Sequence, residues 1–167
     1  MIESLVLDYR AQLQHAVILA LTLYAFRFSE KPEKLVGAIL TSVFLADYAY
    51  HFFFPLGSIY HDVNIGHLVI DAMAFVALLP VAMRANRIYP LWVLAAQLIM
   101  LLMHFNREIS DLIDPMAYWI ITRMPSYIQV LALAIGIVAQ RRRARAGQQY
   151  PSWRSSSRTS PEKTPTP

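Results

Sequence analysis

Long apolar stretches separated by short polar segments make up most of the first 140 residues of this chain. Five stretches can be drawn, at about residues 13–28, 34–54, 65–84, 88–106 and 126–140, and the last extends back to 116 if its helix continues through Pro125. A membrane-spanning helix needs about 20 predominantly apolar residues, within a range of about 17–25. The pattern therefore predicts an all-α, polytopic transmembrane helix bundle of about five spans, or four if the first stretch lies only at the membrane interface.

The composition favours a membrane protein over a water-soluble globule. The 167 residues are 56% hydrophobic and only 16% charged, with a mean hydropathy of +0.39. Soluble domains have about 45–50% apolar and about 25% charged residues. Residues 141–167 hold only four apolar residues, so the first 140 are more apolar still. The chain has no cysteine, which excludes disulfides, thiol catalysis and cysteine metal ligands.

The basic residues predict an orientation for the bundle. Twelve Lys and Arg residues lie in the segments after the first, third and fifth stretches, and three lie on the opposite side. Because cytoplasmic segments carry the excess of basic residues, we expect the N-terminus outside and the C-terminus inside. The bundle should end near residue 145, and residues 146–167, a basic segment rich in Ser and Pro, should form a disordered cytoplasmic tail.

Two basic segments, at residues 141–145 and at residues 86–87, are expected to lie at the membrane surface. The run Arg141–Arg145 closes the last stretch and suits anionic lipid headgroups. The connection at Asn86 and Arg87 is expected to be a solvated turn between helices, with binding of an anionic headgroup as the less favoured alternative. A nucleic-acid partner is not favoured, because the basic residues flank apolar runs as membrane topology requires. The lipid bilayer is thus the main expected partner, with a membrane-protein partner or a second copy of the chain as further possibilities.

Polar residues inside the apolar stretches form a pattern on one side of the predicted membrane. All five histidines fall near the outer face, at His15, His51, His61, His67 and His104. Asp47 precedes His51 by four residues and Asp71 follows His67 by four, and residues four apart lie on one face of a helix. Gln97 and His104, seven apart, share a face in the same way. Three helices should therefore each carry a histidine at the mouth and a polar residue deeper in the bundle.

The intramembrane carboxylates are the strongest candidates for function. An acidic residue near the centre of a membrane costs about 2.5–3.5 kcal/mol, so such residues face the bundle interior or water. The first hypothesis is a proton or small-ion path that opens outward, with Asp47, Asp71 and Gln97 as relay groups. If the two carboxylates approach each other, they are expected to share one proton.

Two further hypotheses stay open. The polar residues could form a network that fixes helix packing, as in a non-catalytic accessory subunit of a membrane complex. Alternatively, a divalent metal could bind His51, His61, His67 and His104 together with a carboxylate, since imidazole and carboxylate suit zinc, iron or copper. No HExxH motif, glycine-rich phosphate loop or dinucleotide fingerprint is present, so an enzyme is not favoured.

From Asp71 onward the chain resembles a known group of membrane proteins. The resemblance spans about Asp71–Arg143 and rests on Ile70-Asp71, the string Met83–Trp92, Gln97-Leu98, His104, Asp114-Pro115, Ala117-Tyr118, Ser126-Tyr127 and the closing arginines. The group consists of small, uncharacterised polytopic inner-membrane proteins of proteobacteria, without a known activity. The resemblance implies a multi-pass protein of the bacterial inner membrane, in which Asp71, Gln97 and His104 are important.

Overall fold

A computed structural model describes residues 2–54, 65–104, 115–148 and 151–154. The described residues form five α-helices and no strand: α1 (Ile2–Phe28), α2 (Lys31–Phe53), α3 (Ile65–Arg84), α4 (Tyr89–Met103) and α5 (Pro115–Arg145). The prediction of an all-α fold is confirmed for the described residues, and each apolar stretch overlaps one helix. The last stretch does extend back past Pro125, because α5 continues through that residue.

Local sequence explains where these helices begin and end. No Gly or Pro occurs between Ile2 and Phe28, so α1 begins well before the apolar stretch at residue 13. Ser29 and Glu30 are not helical and separate α1 from α2. Pro32 then lies in the first turn of α2, where its missing N–H costs nothing. Pro90 occupies the same position in α4. Hydropathy locates the apolar part of a helix, whereas prolines and short non-helical segments determine where the helix begins and ends.

The helices pack as a bundle closed by α5. Each helix contacts the next along the chain, and α5 returns to contact α1 and α2. The bundle centre holds a layer of large aliphatic side chains from four helices, which we call the apolar layer: Leu40, Leu78, Val93 and Leu133, each no more than 4% exposed. This layer divides the interior of the bundle into two ends.

The outer surface of the bundle is strongly apolar. Among the described residues, α2 and α3 have the length and hydropathy to cross a membrane, and only 17% and 28% of their apolar windows are buried. The 15-residue α4 is a shorter apolar helix. Met73, Val76 and Leu79 of α3 are all exposed, as is Leu45 of α2. The apolar residues of these two helices therefore mostly face outward.

Small residues let two pairs of helices approach closely. A Cβ added at Gly37 of α2 would lie 2.9 Å from Thr22 Oγ1 of α1, and the Thr22 hydroxyl donates to the Gly37 carbonyl at 3.0 Å. A Cβ added at Gly136 of α5 would lie 2.6 Å from the Tyr89 ring of α4. Close contacts at small residues are typical of helix pairs in membranes.

Residues 151–154, within the predicted tail, pack against the connection between α3 and α4. The Asn86 N–H donates to the Ser152 carbonyl at 3.0 Å, and the Arg154 N–H donates to the Arg84 carbonyl at 2.9 Å. The Trp153 side chain packs against the bundle core. The sequence did not predict this contact, and the rest of the expected disordered tail, beyond residue 154, lies outside the described residues.

Candidate functional site

Polar side chains line a cavity at the end of the bundle where α2 ends and α3 begins; we call it the polar chamber. Its volume is about 190 Å³. Asp47 and Asp71 both line it, together with five further polar residues of α1, α3 and α5: Gln14, His15, His67, Ser126 and Gln129. The remaining lining is apolar. Of the predicted site residues, Asp47, Asp71 and His67 line this cavity, whereas Gln97, His51 and His104 do not.

Asp71 is the most fully hydrogen-bonded carboxylate of the chamber. Its Oδ1 accepts a hydrogen bond from Gln97 Nε2 at 2.9 Å, and its Oδ2 lies 2.8 Å from His104 Nε2. The Asp71 side chain is only 12% exposed and that of His104 is 19% exposed. A carboxylate and an imidazole at this distance can exchange one proton between them. Gln97 cannot exchange a proton at neutral pH, so its role is to hold the carboxylate in place.

Gln129 of α5 extends this network into the bundle. Its Nε2 donates to Gln97 Oε1 at 2.7 Å, and both amides are buried. The Gln97 oxygen is thereby occupied, which fixes its NH₂ group toward Asp71. The sequence analysis missed Gln129, although a glutamine inside the apolar stretch 126–140 was a usable signal.

Asp47, His51 and His67 form a second group at the rim of the chamber. Asp47 Oδ1 lies 2.8 Å from His67 Nε2 and 3.8 Å from His51 Nε2. One ligating atom from each of the three residues falls within 4.8 Å of the others. Asp47 is about one-third exposed and His51 about half exposed, so this group lies nearer the surface than Asp71 does. The expected i, i+4 proximity of Asp47 and His51 is present.

The two carboxylates keep separate partners. Among the described residues no hydrogen bond joins Asp47 to Asp71, and each carboxylate instead bonds to a histidine from another helix. The expected sharing of one proton between two carboxylates is therefore replaced by two carboxylate–imidazole pairs. His61, one of the predicted metal ligands, lies outside the described residues.

His15 of α1 completes the wall of the chamber. Its ring stacks on Phe44 with centroids 4.2 Å apart and meets Tyr48 edge-on at 5.8 Å. Its Nδ1 is buried without a hydrogen-bond partner among the described residues. The sequence placed His15 on the same face as the other histidines but gave it no role in the site.

A second buried polar group lies at the opposite end of the bundle, which we call the arginine end. Arg87 Nη2 donates to Glu30 Oε2 at 2.7 Å, and its Nε lies 3.4 Å from Glu33 Oε1. Ser152 also donates its hydroxyl to the Glu30 carboxylate. The expectation of a solvated turn at Arg87 was wrong, because its side chain is 3% exposed and that of Glu33 is wholly buried. Residues at the start of α2, distant in sequence, supply the acidic partners.

The apolar layer separates the polar chamber from the arginine end. Along α3, Asp71 lies at the chamber and Arg84 at the opposite end of the helix. Their separation of 13 residues corresponds to a rise of about 20 Å. Leu78 lies between them and is wholly buried. Comparison of the chain with protein-family models, curated proteins and solved structures found no match.

Proposed function

We propose that the chain is a small polytopic protein of the bacterial inner membrane that takes up protons from the outer side through the polar chamber. Five spans, with the N-terminus outside, put the chamber at the outer face and the arginine end at the cytoplasmic face. The outward-facing apolar residues of α2 and α3 support a lipid environment, since a core helix of a soluble protein would be mostly buried. The resemblance over Asp71–Arg143 points to the same class of protein.

The observation that carries the proposal is the Asp71–His104 pair, in which Asp71 lines the chamber. A carboxylate held at this depth is costly, and that cost is accepted mainly where the group binds an ion or a proton. The pair is 2.8 Å apart, and Asp71 shares the chamber with the more exposed Asp47–His67 pair. Protons can thus enter at the rim, where Asp47 lies, and reach Asp71 one helix away. The apolar layer has to open transiently for a proton to continue inward.

Proton flux in proteoliposomes tests this function. Purified protein is reconstituted, a potassium diffusion potential is imposed with valinomycin, and the internal pH is followed with a trapped dye. The wild-type chain is expected to carry protons above the protein-free background, and Asp71→Asn is expected to return the flux to that background. Asparagine keeps the size and the hydrogen bond from Gln97 but cannot hold the exchanged proton.

A matched substitution on the lipid-facing side serves as the control. Ser42 is exposed on α2 and its hydroxyl bonds only to the Ile39 carbonyl, so Ser42→Ala should leave the flux unchanged. Equal flux for wild type and Asp71→Asn contradicts the proposal. The chamber would then be a network that fixes helix packing, as expected of an accessory subunit. Absence of flux in the wild-type protein also contradicts it.

A divalent metal ion at the rim of the chamber is the second candidate function. Asp47, His51 and His67 offer three donor atoms within 4.8 Å of one another, and they come from two helices. Zinc takes imidazole and carboxylate ligands at about 2.0–2.2 Å, so the three groups need to move inward only slightly to share one ion. Three protein ligands would leave a fourth position for water or a substrate.

Calorimetric titration with Zn²⁺ distinguishes this candidate from the first. If the site is a metal centre, the wild-type protein binds one equivalent of Zn²⁺ and His67→Ala weakens binding by about tenfold or more, since even the loss of a group that only hydrogen-bonds to a ligand costs about tenfold. His15→Ala is the matched control, because His15 lines the same cavity outside the three-residue group. No heat in the wild type, or equal weakening by both alanine variants, contradicts a metal site at the rim.

A further inference from the structure

A second cavity lies at the arginine end, between the connection that follows α3, the start of α4 and the last turns of α5. Its volume is about 280 Å³, near the lower end of small-ligand pockets, which begin at about 300 Å³. Four polar residues contribute to its wall: Asn86, Arg87, Arg143 and Arg154. Polar residues thus converge here from the linker, from α5 and from the segment after α5.

The charge of this cavity favours an anion. The Arg87 guanidinium already has two carboxylate partners, Glu30 and Glu33. Arg143 and Arg154 add two positive charges to the wall, so the three arginines exceed the two acids by one. Guanidinium groups bind phosphate oxygens through paired N–H donors. The cavity wall therefore suits a phosphate group better than an uncharged ligand.

The other side of the same cavity is apolar and open to the surface of the bundle. Ile88 and Ile135 line it and are 73% and 57% exposed. Trp92, one turn after Ile88 in α4, is also exposed. A ligand that fills this cavity therefore meets guanidinium groups on one side and a lipid-facing apolar surface on the other. Its chemistry has to be amphiphilic.

We infer that this cavity binds the headgroup of an anionic phospholipid, with the phosphate between Arg143 and Arg154 and the acyl chains along Ile88 and Ile135. The inference shares with the proposed function only the placement of the bundle in a bilayer. It also gives residues 151–154 a role, because their hydrogen bonds to Arg84 and Asn86 bring Arg154 to the cavity. The lipid would hold that segment against the bundle.

Lipid retention measured by native mass spectrometry tests the site. Protein in detergent is mixed with dioleoylphosphatidylglycerol or dioleoylphosphatidylcholine, and the bound fraction is titrated. The wild type is expected to prefer the anionic lipid, and the double variant R143Q/R154Q is expected to lose about 30-fold in affinity. That factor corresponds to about 2 kcal/mol, and it reflects the loss of charge-assisted hydrogen bonds from two guanidinium groups to the phosphate.

A second double variant removes the same charge from the same end of the helix. Arg142 and Arg145 are exposed and do not line the cavity, so R142Q/R145Q should change the affinity by less than about twofold. Equal losses for the two double variants would mean general attraction to the basic surface and would overturn the site. Thermal unfolding within a few degrees of wild type checks that each variant is folded.

Inorganic phosphate as a competitor separates a lipid from a soluble ligand. Phosphate should displace the lipid only weakly, because it gains nothing from the apolar side of the cavity. Displacement at equal concentrations would identify a soluble phosphate compound as the ligand and overturn the lipid assignment. Proton flux plays no part in this readout, so the lipid site and the proton path succeed or fail separately.

Discussion

Replacement of Arg87 by glutamine is expected to lower the free energy of unfolding by about 3–5 kcal/mol, the usual cost of removing one partner from a buried ion pair. The Arg87 Nε lies 3.4 Å from Oε1 of the buried Glu33 carboxylate, so the Arg87 guanidinium stabilises that charge. Glu30 would lose its 2.7 Å hydrogen bond at the same time. Unfolding in mixed micelles, titrated with sodium dodecyl sulfate, measures this loss.

The matched control is a nearby arginine at the surface. Arg84 is exposed at the end of α3, and Arg84→Gln should cost less than about 1 kcal/mol, as expected of an exposed charge. Adding Glu33→Gln to Arg87→Gln should recover much of the lost stability, because no uncompensated charge then stays buried. Similar losses for Arg84→Gln and Arg87→Gln, or no recovery in the double variant, would contradict the buried ion pair.

Replacement of Leu78 by serine is expected to raise the passive proton leak of proteoliposomes by about tenfold, which corresponds to a barrier lowered by about 1.4 kcal/mol. Leu78 is wholly buried in the apolar layer, on α3 between Asp71 and Arg84. A hydroxyl in this position lets water enter the apolar layer between the polar chamber and the arginine end. The leak is followed with a trapped pH dye after an acid jump outside.

Leu79 offers a neighbouring control of the same chemistry. Its side chain is 41% exposed on the outer surface, so Leu79→Ser should leave the leak close to that of the wild type. Combining Leu78→Ser with Asp71→Asn should reduce the leak again if protons enter through the chamber. A leak that is the same for both serine variants would show that the apolar layer is not the barrier.

The helices were largely predictable from the sequence because apolar stretches and prolines are local signals. The stretch 65–84 coincides with α3 (Ile65–Arg84), and α2 begins three residues before the predicted 34. The largest difference is α1, which begins at Ile2 instead of residue 13. Polar residues in the first half of α1 lower its hydropathy, but they are compatible with a helix. The helix ends only before Ser29 and Glu30.

For the candidate site, the sequence predicted which polar residues share one face of a helix, but not all of the contacts between helices. Spacings of four and seven residues placed Asp71, Gln97 and His104 on inward faces, and both Gln97 and His104 bond to the Asp71 carboxylate. Gln129 and the Arg87–Glu33 pair were not predicted, because their partners are 32 and 54 residues distant in sequence. Contacts of this kind depend on which helices pack against each other, and the sequence of a single helix does not determine that arrangement.

The packing of residues 151–154 has a consequence for the order of assembly. These residues bond to Asn86, 65 positions earlier, and Ser152 bonds to Glu30, 122 positions earlier. Since synthesis proceeds from the N-terminus, α1–α4 are complete before this segment leaves the ribosome. A nascent chain that stops short of residue 151 holds Glu30 and Arg87 without this cover. The contacts of residues 151–154 with Glu30 and Asn86 can therefore form only after all five helices have been synthesised.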